Sequence, residues 1–243
     1  VVGKDILRFH AGIWPAMLLA LDVPLPKVLL VHGHVTSGGV KMSKSLGNGV
    51  APMDIINNYG SEAFRYYFLR YIPTQDDGDF TWERFEAAYN GELGNDLGNL
   101  VQRIVAMIKR YQAGVVGDLP SDQHDMGPYR ASMEAFEFNK ALDDTWGIIR
   151  SLNQYIDRVK PWEVAKNRQT DTEAEAHLAE ILSYAAGALL QISELLAPFM
   201  PETSKAIKET FSSGVVPDNF QPLFPKIYLH TPDPRTKKAP EQS

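Results

Sequence analysis

Residues 81–111 read TWERFEAAYNGELGNDLGNLVQRIVAMIKRY. Within them Leu93, Leu97, Leu100, Ile104, Met107 and Ile108 recur at the three- and four-residue spacing that puts side chains on one face of a helix. Thr81 stands just ahead, where a hydroxyl can accept from the first free amides of a helix. The stretch therefore predicts a long amphipathic helix with one buried face. Asn95, Asn99 and Arg103 recur every four residues away from that stripe and share a polar face of their own. A chain organised round such a helix is mostly α.

The pattern extends in both directions. Downstream, a polar connector over 114–126 precedes helical spacing at roughly 128–135, 138–160, 171–196 and 202–212. Helices of that length with short links predict an up-and-down bundle. Upstream, Pro52 starts a short helix through Asn58, Ser61 is expected to cap a helix over Phe64–Arg70, and the acidic run 74–81 is expected to be a loop. Its Asp76, Asp77 and Asp79 lack the spacing and closing Glu of a calcium loop. Nearer the start, Ile6, Phe9, Ile13, Met17 and Ala20 follow helical spacing, with Pro15 expected to kink that helix or begin a second one. Trp14 and Met17 are expected in the core. Residues 27–32 read as a buried strand and Ser37-Gly38-Gly39 as a turn, giving α/β structure at this end. The last stretch, 231–243, is expected to be a mobile tail.

The 243 residues make one large domain or two modest ones. A formal charge of −6 argues against a binder that grips polyphosphate through bulk positive field, but leaves room for a few aimed groups. Cysteine is absent, which excludes a disulfide framework, thiolate metal sites and a Cys nucleophile. The opening, Val1-Val2-Gly3-Lys4-Asp5, carries no basic leader, cleavage site or initiator Met, as a processed product or a fragment would not. The apolar stretches are too short or too interrupted to cross a membrane, and no internal repeat is visible.

The strongest local motif is Gly38-Gly39-Val40-Lys41-Met42-Ser43-Lys44-Ser45-Leu46-Gly47-Asn48. Glycines, two lysines three apart and two hydroxyls suit a phosphate-handling loop, in which Lys can follow developing negative charge. The spacing is not that of a Walker A loop, and an exposed basic turn would read the same way. Lys41-Met42-Ser43-Lys44-Ser45 is identical to the KMSKS signature of class I aminoacyl-tRNA synthetases. Gly3-Lys4-Asp5-Ile6, Phe9-His10, Trp14-Pro15-Ala16-Met17, Val31-His32-Gly33, Arg65-Tyr66-Tyr67 and Pro161-Trp162-Glu163-Val164-Ala165-Lys166 resemble the methionyl-tRNA synthetase family, in its order.

The resemblance implies a methionine–tRNA ligase that forms methionyl-adenylate from methionine and ATP with Mg2+ and transfers methionine to tRNA(Met). It implies a partial Rossmann-like α/β catalytic remnant over 1–47, a connecting stem-contact fold over 48–90 and an α-helical anticodon-binding bundle over 91–230, ahead of the 231–243 tail. Lys41 and Lys44 match the catalytic loop lysines, with Lys44 on the triphosphate; Ser43 and Ser45 shape the loop. Asp5 matches the ribose-binding position and His32 one close to the nucleotide, where Gly33 allows close backbone approach. Ile6 and His10 match the methionine pocket. Asn95, Asn99, Arg103 and Trp162 match the readers of a CAU anticodon. Read from the residues alone, Asp5 is equally a helix-start acid, His10 a core histidine, the Asn–Arg face a solvated stripe and Trp162 a core anchor.

The family's other signature, HIGH, does not occur in the chain. The resemblance thus implies the C-terminal half of a cytoplasmic enzyme, inactive in adenylation without an N-terminal half of the catalytic domain. Another class I synthetase, for Leu, Val, Ile or Cys, and a non-catalytic tRNA-binding module are the alternatives.

Overall fold

The computed structural model describes residues 1–42, 49–120, 124–168 and 171–233. The described residues are mostly helical, with two small sheets among them at the front. β1 (Val2–Gly3) pairs in parallel with β2 (Val31–His32), and α1 (Trp14–Ala20) lies in the crossover between them. Between β1 and α1 the chain takes a 3-10 turn at Lys4–Ile6 and a π-helical turn at Phe9–Ile13. Pro15 lies two residues past that π-helical turn, in a backbone that stays right-handed helical on both sides, so its missing N–H falls where the helix changes its bonding pattern and not at a free helix start.

β3 (Val35–Ser37) and β4 (Val40–Lys41) form a hairpin turned at Gly38 and Gly39, whose φ of +60° and +76° suit a tight two-residue turn. β5 (Gly78–Phe80) adds to β3 in parallel, with Thr36 opposite Asp79. The acidic stretch read as a loop therefore contributes a strand. Its signal is only three residues long, and its partner lies some forty positions away.

α2 (Pro52–Tyr59) and α3 (Ser61–Tyr71) meet at Gly60, whose φ of +88° makes the corner. Ser61 is the first helical residue of α3 and makes no side-chain cap, because glycine already stands at the capping position. Thr81 does cap α4 (Trp82–Ala88), accepting from the Arg84 amide. The helix continues as a π-helical segment, Tyr89–Gly98, into α5 (Asn99–Gln112). The expected stripe is buried throughout, from Leu93 to Ile108. α6 (Gly127–Glu134), α7 (Phe138–Val159), α8 (Pro161–Asn167), α9 (Thr172–Leu196) and α10 (Pro201–Ser212) complete the bundle. α7 and α9 pack on each other, and α9 also meets α5, α8 and α10. α8 is an extra short helix, set off where Lys160 takes a φ of +46°.

α3 joins the bundle to what precedes it. Arg65 donates from Nε to Phe199 O (2.8 Å) and from Nη2 to Pro198 O (2.7 Å), capping the end of α9. Glu62 accepts from the Glu202 and Thr203 amides at 2.6 and 3.0 Å, capping the start of α10. Tyr66 stacks on fully buried Trp146 of α7 at 4.5 Å between rings.

The front differs from the sequence expectation. Phe9, Trp14 and Met17 are 56%, 40% and 57% exposed, so Trp14 and Met17 are not core residues. The strand read over 27–32 shortens to β2 and stands open, with Val28 exposed. Both departures have one cause: the described chain lays no second layer against this α1 face, so an apolar stripe forms without being buried. The start of the expected tail also departs. Thr231 donates from its amide (2.8 Å) and its hydroxyl to Glu86, which is only 1% exposed. The rest of that tail, from 234, lies outside the described residues.

Candidate functional site

Chemistry at the front gathers at the carboxyl ends of the β1–β2 pair, the edge where parallel α/β sheets take their ligands. Gly3 lies opposite His32 in register. A Cβ added at Gly3 would stand 2.9 Å from Asp5 Oδ1 and 3.7 Å from His32 Cε1, so Asp5 and His32 converge over the space that glycine leaves open. His32 donates from Nδ1 to the Gly33 carbonyl (2.8 Å), which leaves Cε1 and Nε2 facing Gly3. Both side chains are exposed. His10 donates from Nδ1 to Ile6 O at 2.9 Å and meets the edge of Trp14. It lines an open, largely apolar cleft of about 610 Å³ with Phe9, Ile13, Trp14 and Met17. Ile6 shares its turn but stands outside that cleft.

Lys41 closes β4, its backbone opposite Thr36. Lys44, with Ser43 and Ser45, lies outside the described residues. The hairpin leading to them is gripped by Asp79, which accepts from the Gly39 amide and from Thr36 Oγ1, both at 2.8 Å. These two donors, the amide first, hold the Asp79 carboxyl below its ordinary range. Asp77 grips the other sheet, accepting from Lys4 Nζ (2.5 Å) and the His34 amide (2.7 Å), and its carboxyl is held low in the same way. The two acids tie the Asp5–His32 edge and the lysine-bearing hairpin to β5 and the residue just ahead of it. Gly33 packs against the same segment: a Cβ there would fall 2.1 Å from Asp76 O. The close approach expected at Gly33 is thus made by backbone 76–77.

The second cluster lies on the long helix. Asn95 sits in the π-helical segment and Asn99 opens α5, both exposed; Asn99 Nδ2 donates to Asn95 Oδ1 at 3.2 Å. Arg103, one turn on, is half-buried. Its Nη1 pairs with Asp157 of α7 at 2.7 Å and its Nη2 donates to Asn153 Oδ1 at 3.1 Å. α7 ends two residues after Asp157, and Lys160 turns the chain into α8, whose first turn carries Trp162. Trp162 is 36% exposed, so it is not a core anchor. The far end of α8 is fixed to α5 by Arg168, which donates to Tyr111 O at 2.8 Å and lies 5.5 Å from that ring's centre. Arg103 is thus tied to α7 five residues ahead of Trp162, and the end of α8 is tied to the end of α5. Asn153 and Asp157 escaped the sequence reading, although they repeat the four-residue spacing of Asn99 and Arg103.

Residues 1–105 match the family model for class I (M) tRNA synthetases, and residues 118–222 match that for the anticodon binding domain of methionyl tRNA ligase. The chain belongs to the methionyl-tRNA synthetase family. The methionine–tRNA ligase of Streptomyces coelicolor is 41% identical over 226 residues, 88% of this chain and 41% of that protein. That of Enterococcus faecalis is 37% identical across 100% of this chain and 40% of that protein. Among solved structures, free Mycobacterium tuberculosis methionyl-tRNA synthetase superposes with a TM-score of 0.80 at 25% identity, covering 94% of this chain and 49% of that one. The same enzyme bound by methionyl-adenylate gives 0.80 at 27% identity, covering 92% and 49%. The chain thus spans about two fifths of the length of these curated methionyl-tRNA synthetases.

Proposed function

We propose that the chain is the C-terminal half of a methionine–tRNA ligase and supplies two of its working parts. The observation that carries this reading is that one chain holds both a class I synthetase front and, fixed to it by α3, an anticodon-binding bundle of the methionyl type.

In the first step a methionine carboxylate oxygen attacks the α-phosphorus of ATP in line, the bond to the β-phosphate oxygen breaks, and pyrophosphate leaves. In the second, the terminal hydroxyl of tRNA(Met) attacks the methionyl carbonyl and AMP departs. Neither step needs a protein nucleophile, so the protein contributes positioning and charge. Asp5 accepts from the ribose hydroxyls, and His32 borders the same opening over Gly3. Lys41 and Lys44 meet charge developing on the triphosphate, and the hairpin held by Asp79 delivers them. His10, with Ile6, lines the methionine side of the site. Mg2+ would come with ATP and supply charge neutralisation at its phosphates; among the described residues no three His, Asp or Glu side chains gather to hold a metal ion of their own.

The exposed α1 face, with Phe9, Ile13, Trp14 and Met17, is the surface on which the N-terminal half of the catalytic domain packs. Without that half the chain does not form methionyl-adenylate. Among the described residues no helix is long and apolar enough to cross a membrane, and the reading sets the protein to work in the cytoplasm.

At the other end Asn95, Asn99 and Arg103 present donors and acceptors to the unstacked bases of a CAU anticodon, and Trp162 offers a ring for stacking. Binding of RNA hairpins by this chain tests the reading. A hairpin with a CAU loop is expected to bind at least about tenfold more tightly than one with an altered loop base, a difference worth roughly 1.4 kcal/mol. Equal binding of the two hairpins contradicts it.

A further inference from the structure

Three hydrogen bonds meet at one side chain that belongs to neither helix of the reading face. Asn153, half-buried on α7, donates from Nδ2 to Asp96 O at 2.9 Å and to Ile149 O of its own helix at 3.2 Å. Its Oδ1 accepts from Arg103 Nη2 at 3.1 Å, while Asp157 takes the other arm of the same guanidinium. Asp96 is the neighbour of Asn95 and lies in the π-helical segment, where backbone bonds reach five residues back, as from the Asn99 amide to Gly94 O. One amide therefore touches the wide turn that presents Asn95 and Asn99, and also the head of Arg103.

We propose that Asn153 is a positioning residue for anticodon reading. It sets the register between the π-helical turn and Arg103, so that the three reader side chains meet the loop bases as one preformed surface. The carbonyl of Asp96 needs a donor, the guanidinium needs an acceptor, and a short primary amide carries both in a fixed geometry. The proposal rests on the anticodon reading above.

The test is hairpin binding by the whole chain, with CAU and altered-loop RNA as probes, for the unmodified protein, Asn153→Ala and Asn153→Asp. Asn153→Ala is expected to lower affinity for the CAU hairpin about tenfold or more, as loss of a hydrogen bond to a charged group entails. Affinity for the altered hairpin should change little, so the ratio between the two falls. Asn153→Asp keeps the acceptor for Arg103 and loses the donor to Asp96, and its ratio should lie between the other two. An unchanged ratio in Asn153→Ala overturns the proposal. Should that variant not fold, the isosteric Asn153→Asp decides by the same criterion. Equal binding of both hairpins by the unmodified chain overturns the anticodon reading itself, and this proposal with it.

Discussion

Asp79 illustrates how one side chain can fix the place of a distant loop. Its carboxylate holds the Gly39 amide and the Thr36 hydroxyl from opposite sides of the hairpin turn. Asp79→Ala should leave the bundle folded and speed hydrogen exchange at the Gly39 amide by about tenfold or more, because local opening no longer breaks that bond. An unchanged rate would mean the turn is held by β3–β4 pairing alone. On the proposed anticodon reading, Trp162→Ala should cost about 1–3 kcal/mol of hairpin binding, more than it costs in stability, since the ring is partly open to solvent. At this scale the sequence was partly legible. Asn95, Asn99 and Arg103 could be grouped because a helix period links them. Asp77, Asp79, Asn153 and Asp157 could not be assigned partners, because each binds residues forty or more positions away and no local period reports such a pairing.

Among the elements, the amphipathic run gave the most secure reading, since burial of its stripe and helical spacing are one physical fact. The π-helical segment within it was not foreseen, because shifting from four to five residues per bond leaves the apolar pattern nearly unchanged. The strap over 224–231 was also invisible, because its binding is to backbone. Tyr89 donates to Pro225 O (3.0 Å), Asn90 donates to Ile227 O (2.7 Å) and accepts from the Ile227 amide (3.0 Å), and Trp82 stacks on His230. Glu86 closes it, accepting from the amides of Leu229, His230 and Thr231, each at 2.8 Å, and from the hydroxyls of Tyr59 and Thr231. Burial by itself would raise this carboxyl, but the donors, Thr231 first and then Tyr59, outweigh it and hold it below the usual glutamate range. A lowered folded-state value means the stabilisation is full above the unfolded glutamate range and is lost as pH falls through the folded value. Acid titration should therefore release the strap only at pH below the ordinary glutamate range, read as the loss of Trp82 quenching by His230. Glu86→Gln should abolish that acid step and lower stability by about 2–4 kcal/mol at neutral pH, since its amide group faces donors it cannot accept from. A native-like Tm in that variant would contradict the assignment.

For the whole molecule, the charge of −6 coexists with a nucleic-acid reading because recognition is assigned to a few placed groups and not to bulk field. The front is the least self-sufficient region. Among the described residues of 1–42 only Val2 and Gly33 are buried, while α1 shows its apolar stripe to solvent. Periodicity reports that a face is apolar, and it cannot report what covers it, which is why Trp14 and Met17 read as core. Sedimentation of the isolated chain should show concentration-dependent self-association that Phe9→Glu with Met17→Lys removes, hairpin binding being unaffected. The central claim, that this chain completes a methionine-activating enzyme, is tested most directly by amino-acid-dependent exchange of pyrophosphate into ATP. The chain should show none alone, and methionine-dependent exchange when joined to the N-terminal half of a methionyl-tRNA synthetase. Exchange driven by leucine or valine instead, or none with both halves shown to be folded, would contradict the account.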